Sequence, residues 1–154
     1  TWQADFNLPG RFDSTYVGED GAKHTPVLLH RAALGSFERF IGILLENYGG
    51  NLPLWLSPTQ VVLATITDEA KAYADDIENK LLELGVRVIS DKRNEQISYK
   101  VREHSKSKSS IILALGKKEV DDKTVSVRRL GSEKTEVKKL DAFVKSLEEE
   151  IQIP

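Results

Sequence analysis

The sequence contains neither cysteine nor methionine. Without thiols the chain forms no disulfide and no thiolate metal site, so any metal would be held by histidine, aspartate or glutamate. Only three imidazoles are present, those of His24, His30 and His104. Because the chain opens on Thr1 and holds no initiator methionine, we expect it to be a piece of a longer product.

Long apolar runs are missing as well. No stretch approaches the roughly 20 consecutive apolar residues of a membrane span, and no signal peptide opens the chain. No Walker loop, G-x-G-x-x-G or H-E-x-x-H motif occurs, which removes the common phosphate, dinucleotide and zinc-protease signatures. With 40% apolar residues the sequence can still bury a core. We therefore expect a globular, cytoplasmic protein without a membrane partner.

The charged residues are unevenly distributed along the chain. The formal net charge is −2, yet residues 87–129 carry 12 Lys and Arg against 6 Asp and Glu. A basic segment inside an acidic chain is typical of a nucleic-acid-binding face. A solvated, lysine-rich surface gives the same pattern, so charge alone leaves both interpretations open.

Residues 49–58 contain two glycines and two prolines, which predicts a linker. We place a domain boundary there, giving domains 1–56 and 57–154. Before the linker, β-rich runs at 14–17 and 26–30 flank an Asp/Gly turn and predict an antiparallel pair. An amphipathic helix follows and ends at Gly49.

After the linker, strands alternate with helices. Apolar runs predict strands at 60–65, 86–90, 111–115 and 124–128, the last of them paired with a short strand near 135–137. Helical patterns predict three helices. The first begins at 67–69 and stops at Gly85, the second spans 96–104, and the third carries an apolar stripe from Leu140 to Ile151. This alternation predicts an α/β sandwich with a parallel or mixed sheet.

Two residues of the first block have side chains suited to chemistry. His30 ends an apolar strand and is either a hydrogen-bonded packing residue or a zinc ligand whose partners lie outside the chain. Arg39 lies at the start of the amphipathic helix. It is either a solvated charge or a guanidinium that stacks on a nucleobase while its charge complements a triphosphate.

In the second block, residues 93–95 lie between a strand and a helix, where α/β sheets carry binding groups. The guanidinium, amide and carboxylate of this Arg-Asn-Glu run match the base edges of single-stranded RNA. Asn94 is equally suited to cap the following helix. The Ser- and Lys-rich run 105–110 predicts an exposed, flexible loop.

Several segments, taken together, resemble the threonyl-tRNA synthetase family over nearly the whole chain. Residues 16–20 (YVGED), 26–32 (PVLLHRA) and 34–42 (LGSFERFIG) resemble the last conserved segment of its catalytic domain, and the spacing to 53–61 (PLWLSPTQV) is that of the family. Residues 91–97 (DKRNEQI), 100–104 (KVREH) and 115–120 (LGKKEV) resemble its anticodon-binding domain. The related synthetases for proline, glycine and histidine do not carry the combination of HRA with GSFER.

This resemblance implies a fold and a function. The fold is a three-layer α/β anticodon-binding domain with a mixed, about five-stranded sheet, preceded by a fragment of a class II synthetase catalytic domain made of antiparallel strands and a helix. The family activates threonine with ATP and attaches it to tRNA(Thr). The chain would supply motif 3 and anticodon recognition. Because motifs 1 and 2 are missing, we expect it to be inactive alone. A stand-alone synthetase-derived tRNA-binding module is the alternative.

The resemblance also assigns residues of the first block. His30 matches the third ligand of the family's zinc, whose other two ligands, a Cys and a His, would lie outside the chain. Arg39 matches the catalytic motif 3 arginine that stacks on the adenine of ATP, which binds with magnesium. Gln3 matches a glutamine of the family's substrate pocket, and Ser36 lies beside it. The family is a homodimer, and we expect the fragment to be a monomer.

In the second block, Asn94, Glu119 and Arg128 match residues that contact the anticodon bases. Lys100 and Arg102 are predicted phosphate partners, which position RNA rather than read it. One departure is visible, because Ser109 and Ser110 replace the Pro-aromatic pair that relatives carry before the third strand. This departure bears on the local backbone path and on RNA contacts there.

Overall fold

The computed structural model describes residues 1–132 and 134–152. The chain forms two compact units, Thr1–Leu44 and Leu45–Pro154. Within the described residues, no helix is long and apolar enough to cross a bilayer. The domain boundary placed between residues 56 and 57 stays a prediction.

The first unit contains two small antiparallel sheets and little buried surface. One sheet pairs the first strand with the fourth, and the other pairs the second with the third. Pro9 is its only buried residue. Its elements are β1 (Trp2–Asp5), α1 (Leu8–Arg11), β2 (Tyr16–Val17), β3 (Lys23–His24), β4 (Leu28–Arg31) and the start of α2 (Phe37–Asn47).

The predicted pairing of residues 14–17 with 26–30 is wrong. The Gly18 N–H donates to the Ala22 carbonyl at 2.9 Å, and the tight turn places Tyr16 opposite His24. The hairpin is therefore complete before the second apolar run begins. That run forms β4, whose partner is β1, a strand that the sequence pattern did not predict.

The second unit is built on one mixed, five-stranded sheet, as predicted. Its strand order is β6-β5-β7-β8-β9, with β5, β6 and β7 parallel and the last two pairings antiparallel. A 3-10 turn (Leu54–Leu56) precedes the sheet. The elements are β5 (Val61–Thr65), α3 (Ala70–Glu83), β6 (Val88–Asp91), α4 (Ile97–Lys106), β7 (Ile111–Leu115), α5 (Lys117–Asp122), β8 (Thr124–Arg129), β9 (Thr135–Lys139) and α6 (Leu140–Glu150).

Helices cover the two faces of this sheet unequally. On one face α3 and α6 pack over the main core, which includes Leu63, Leu113 and Phe143. On the other face α4 lies over β5 and β7, where Val62 and Ile112 form a smaller core with its apolar residues. The helices and the sheet together make the three layers predicted from the sequence.

The α4 side of the sheet is open across β8 and β9. Alternation along β8 directs Val125 and Val127 into the main core, so Ser126 and Arg128 point to the α4 side. Val137 lies opposite Ser126 in β9 and is 61% exposed. Within the described residues, α4 packs against β5 and β7 rather than centrally on β8 and β9. A polar sheet surface therefore lies beside α4.

Two helix details differ from the sequence expectations. The third helix begins at Ala70 rather than at 67–69, because Thr67 and Asp68 form a turn that precedes it. It stops at Gly85 as predicted, where φ is +74°. The short helix α5 was not predicted, and it ends at Lys123 with φ +51°.

Candidate nucleic-acid interface

A groove with four cationic side chains and no acidic one runs along the edge of α4 toward β8. We call it the basic groove. It is lined by Ser98, Val101, Arg102, Ser105, Lys106, Lys108 and Arg128. The concentration of positive charge suits a polyanion.

The geometry of α4 explains why Arg102 and Arg128 share this groove. Val101 packs on the sheet, so a stripe at i, i+4 and i+7 formed by Ser98, Arg102 and Ser105 lies beside that contact. Arg128 is paired with Ile112 in the register and projects to the same face. Within the described residues, neither arginine has a carboxylate partner. Both guanidinium groups are therefore available to an anionic ligand.

Glu119 is linked to β8 on the same side of the sheet. Its Oε2 accepts the Gly116 N–H at 2.9 Å, and its Oε1 accepts the Ser126 hydroxyl at 2.8 Å. Burial raises the pKa of the Glu119 carboxyl, but the hydrogen bonds from Ser126 and Gly116 outweigh it, and the pKa is lowered. The half-buried Glu119 side chain is thus held ionised, and its partner Ser126 lies two residues before Arg128 in β8.

Asn94 lies exposed in the loop that follows β6. The interpretation of Asn94 as a helix cap is wrong, because α4 begins at Ile97 with Gln96 in the cap position. The loop emerges at the carboxyl end of the parallel strands, and Glu119 follows β7 at the same end. Loops at this end of an α/β sheet commonly present binding groups. Asn94 is therefore an exposed amide at this end of the sheet.

A buried carboxylate anchors that loop. Asp91 ends β6, is 5% exposed, and accepts hydrogen bonds from the Arg93 side chain and from His104 Nε2 at 2.9 Å. The Arg93 hydrogen bonds hold the pKa of Asp91 well below its usual range, against the opposing effect of burial. Asp91 is therefore an ionised hub between β6, the loop and α4.

Lys100 is not a phosphate contact, and that prediction is wrong. The side chain is fully buried, and its ammonium donates to the carbonyls of Thr65 at 2.8 Å and Asp91 at 3.1 Å. Burial lowers the pKa of Lys100. Two of its donors are used inside the protein, where they tie the ends of β5 and β6 to α4.

Lys106 and Lys108 line the basic groove. The exposed loop predicted at 105–110 is wrong in part, because Ser105 and Lys106 belong to α4 and Ser109 is buried.

In the first unit, two of the predicted site residues, Gln3 and His30, lie side by side. Gln3 is paired with His30 in the β1–β4 register, and both line a shallow groove with Asp5. His30 Nε2 is 3.0 Å from Asp5 Oδ2. The hydrogen bond from the Leu8 N–H lowers the pKa of the Asp5 carboxyl most, and the hydrogen bond with His30 lowers it next.

The residues present do not by themselves form a zinc site. In the described ranges no group of three or more His, Cys, Asp or Glu side chains converges. His30 and Asp5 together offer two ligands, fewer than the three or four that protein zinc requires.

Ser36 and Arg39 lie at the beginning of α2. The Ser36 hydroxyl donates to Glu38 Oε2 at 2.9 Å and accepts the Arg39 N–H at 3.3 Å. The Arg39 side chain is exposed. Ser36 thus serves as a local cap, and the guanidinium of Arg39 is free to meet a ligand.

Comparison with known proteins bears on both units. A family model described as "Anticodon binding domain" matches residues 60–150. Threonine–tRNA ligases from Dinoroseobacter shibae and Parvibaculum lavamentivorans are 56% and 54% identical over all 154 residues. The chain spans 24% of the length of each of these relatives.

Solved structures show the same similarity. The RNA binding domain of threonyl-tRNA synthetase from Cryptosporidium parvum Iowa II has a TM-score of 0.72 and 34% identity, covering 97% of this chain and 38% of that one. A prolyl-tRNA synthetase from Cryptosporidium parvum shares the fold, with a TM-score of 0.64 and 22% identity over 94% of this chain and 32% of its own. The resemblance inferred from the sequence motifs is confirmed. Since the family match covers more than half of its residues, the chain belongs to the anticodon binding domain family, and it is similar along its whole length to threonine–tRNA ligases.

Proposed function

We propose that this chain is part of a threonine–tRNA ligase and that its second unit binds the anticodon arm of tRNA(Thr). The observation that supports this most directly is the basic groove beside the open sheet face. Arg102 and Arg128 come from different elements, meet in one groove and have no carboxylate partner among the described residues. Such an arrangement suits a folded polyanion better than a scattered, solvated surface does.

Binding would combine phosphate contacts with contacts to base edges. The cations of the basic groove neutralise phosphates and fix the register of the RNA, with Arg102, Lys106 and Lys108 in this role. Arg128 lies where the groove meets the open sheet. Asn94 and the ionised Glu119 supply the amide and carboxylate that match base edges, Glu119 as an acceptor for exocyclic amino groups.

The first unit is proposed to contribute to threonine activation in the intact ligase. Arg39 would stack on the adenine of ATP, which carries magnesium, while Gln3 and Ser36 would line the substrate pocket. The exposed positions of Gln3, Ser36 and Arg39 support this assignment, since a ligand can reach them. Because His30 and Asp5 alone do not make a zinc site, no step is assigned to zinc. His30 would need further ligands from outside the chain.

We further propose that the 154 residues do not aminoacylate tRNA alone. Activation of an amino acid depends on positioning and charge neutralisation by several converging groups. The first unit offers one free arginine in its predicted ATP site and an open groove rather than an enclosed pocket. An aminoacylation assay with ATP, threonine and tRNA(Thr) should show no product. Turnover by the purified chain would contradict the proposal.

The RNA-binding proposal is tested with a matched pair of neighbouring arginines. Arg128→Ala should weaken binding of tRNA(Thr) by about tenfold or more, since one guanidinium contact to RNA contributes ~1–3 kcal/mol. Arg129→Ala removes the same charge, but Arg129 is paired with Glu150 on the other face, so binding should change little. Titration with tRNA(Thr) and with an unrelated tRNA measures both effects. Equal affinity of the wild type for the two tRNAs, or equal losses in the two variants, would refute the assignment.

A further inference from the structure

The guanidinium of Arg93 is held by two carboxylates. Its Nε donates to Asp91 Oδ1 at 2.9 Å, and its Nη2 donates to Asp91 Oδ2 at 2.7 Å. On its other side, Nη2 donates to Glu103 Oε2 at 3.0 Å and Nη1 approaches Glu103 Oε1 at 3.5 Å. Asp91 belongs to the end of β6, and Glu103 belongs to α4.

These contacts use both edges by which an arginine binds phosphate or a base. A guanidinium offers paired donors along its Nε/Nη2 edge and its Nη1/Nη2 edge, and hydrogen bonds lie in the plane of the group. Asp91 occupies the first edge and Glu103 the second. The Arg93 side chain is nevertheless 49% exposed. What remains accessible to a ligand is chiefly its flat face.

The sequence interpretation that Arg93 reads a base edge is therefore not supported by this geometry. The charge of Arg93 is also compensated by Asp91 and Glu103, whereas Arg102 and Arg128 have no carboxylate partner in the described part of the chain. A compensated cation attracts a phosphate weakly. Phosphate contact is thus a role for Arg102 and Arg128 rather than for Arg93.

The carboxylate of Asp91 that holds Arg93 is itself fixed by several contacts. This carboxylate contacts His104 Nε2 at 2.9 Å, and the buried Lys100 ammonium lies 3.8 Å from it. The backbone N–H of Arg93 also donates to Asp91 at 3.2 Å. A planar group that is held this firmly loses little conformational entropy when a ligand stacks on it.

We propose that Arg93 is a stacking platform for an unpaired nucleobase of the anticodon loop, placed beside Asn94. The clamp by Asp91 and Glu103 fixes the plane, and the exposed face receives the base through stacking and cation–π attraction. This inference rests on the proposed tRNA-binding function and adds a residue to it. Asn94, next in the chain, is then positioned to meet the edge of the same base or of its neighbour.

The test uses the 154-residue chain, the anticodon stem-loop of tRNA(Thr), and versions of that RNA with one loop base removed at each position in turn. Arg93→Lys keeps the charge but removes the planar face. Arg129→Lys is the matched control, since Arg129 is also clamped by a carboxylate, that of Glu150, and is 42% exposed, but lies on the other side of the sheet. Affinities are measured by fluorescence anisotropy, and melting temperatures verify that each variant is folded.

We expect Arg93→Lys to weaken binding of the complete loop by about three- to tenfold, the scale of one stacking contact. At one loop position, base removal should weaken binding by the wild type and by Arg129→Lys to a similar extent. The same base removal should have no further effect on Arg93→Lys, because the two changes remove the same contact. Additive losses at every loop position would overturn the inference.

Salt dependence separates stacking from phosphate contact. Arg93→Gln should leave the slope of log affinity against log salt unchanged, whereas Arg102→Gln should reduce its magnitude by about 0.7, the value for one phosphate on a single strand. A reduced slope for Arg93→Gln would show a phosphate contact and overturn the stacking role. Failure of the wild type to bind the complete stem-loop would instead refute the proposed function, and the inference with it.

Discussion

The two units of this chain differ in how much of their apolar surface they bury. The second unit encloses a contiguous core on the α3/α6 face of its sheet and a smaller one under α4. In the first unit, Phe6 and Phe12 are each 71% exposed, and Pro9 alone is buried. Hydrophobic burial is the main stabilising contribution to folding, so the second unit is expected to determine the stability of the chain.

This difference shows that regular secondary structure and a stable core are separate properties. The β1–β4 pair has a complete register from Trp2 to Asp5, yet all four residues of β4 are exposed. In β5 all five residues are buried. Two strands of similar length therefore have very different energetic weight, and paired substitutions in the two units test the distinction.

The largest expected effect comes from core leucines. Leu113→Ala should lower the free energy of unfolding by about 3 kcal/mol, because Leu113 is fully buried in the main core and its loss leaves a cavity. Leu29→Ala, in a first-unit strand that is exposed, should change it by less than about 0.5 kcal/mol. Urea unfolding followed by circular dichroism measures both. Similar losses in the two variants would contradict the comparison.

A smaller effect is expected from two aspartates that each contact an imidazole. Asp91→Asn should destabilise the chain by about 2 kcal/mol at neutral pH, because Arg93 and Lys100 lose a buried anionic partner. Asp5→Asn, in the exposed contact with His30, should have no measurable effect on global unfolding. Thermal unfolding of the two variants provides the measurement.

Asp91 also predicts how the stability of the chain depends on pH. The pKa of Asp91 is lowered in the folded state from its ordinary 3.8, so its contribution is complete above that value and is lost as the pH falls below it. The wild type should therefore lose stability more steeply than Asp91→Asn below pH 3.8. Parallel curves for the two proteins in acid would show that Asp91 is not a stabilising anion.

The smallest effect is expected at two glycines with positive φ. Gly85, with φ +74°, ends α3 with open space around its Cα, so Gly85→Ala should cost ~1–2 kcal/mol through backbone strain alone. Gly35, with φ +72°, has equally open surroundings in the first unit. Gly35→Ala should leave the main unfolding transition unmoved. A shift in its midpoint similar to that of Gly85→Ala would show that the first unit unfolds together with the second.

Sequence patterns predicted the second unit far better than the first. Runs such as residues 111–115 are apolar because the strands are covered on both faces, and length and composition then indicate a strand. In the first unit, β2 and β3 have two residues each, too few to show any periodicity. Their pairing is determined by the Gly18–Ala22 turn, so the apolar runs on either side of it were paired wrongly.

Among the site residues, the roles that depend on burial could not be derived from residue type. Lys100 and Arg102 are both cations of the same basic segment, yet Lys100 is fully buried and Arg102 is exposed. Helical spacing contains part of the answer, because Lys100 follows Ile97 by three residues and lies on the buried side of α4. The two carboxylates around Arg93 come from different elements, and only the fold brings them together.

The last strand, β9, has a further consequence for the open face that it borders. It is an edge strand, and its free side would ordinarily invite another β-strand to pair with it. The strand β9 instead carries the charged residues Glu136, Lys138 and Lys139, and Lys138 Nζ lies 3.1 Å from Glu136 Oε2. Extending the sheet would require stripping water from these charges. The β9 edge can thus border the open part of the sheet face while remaining a poor template for aggregation.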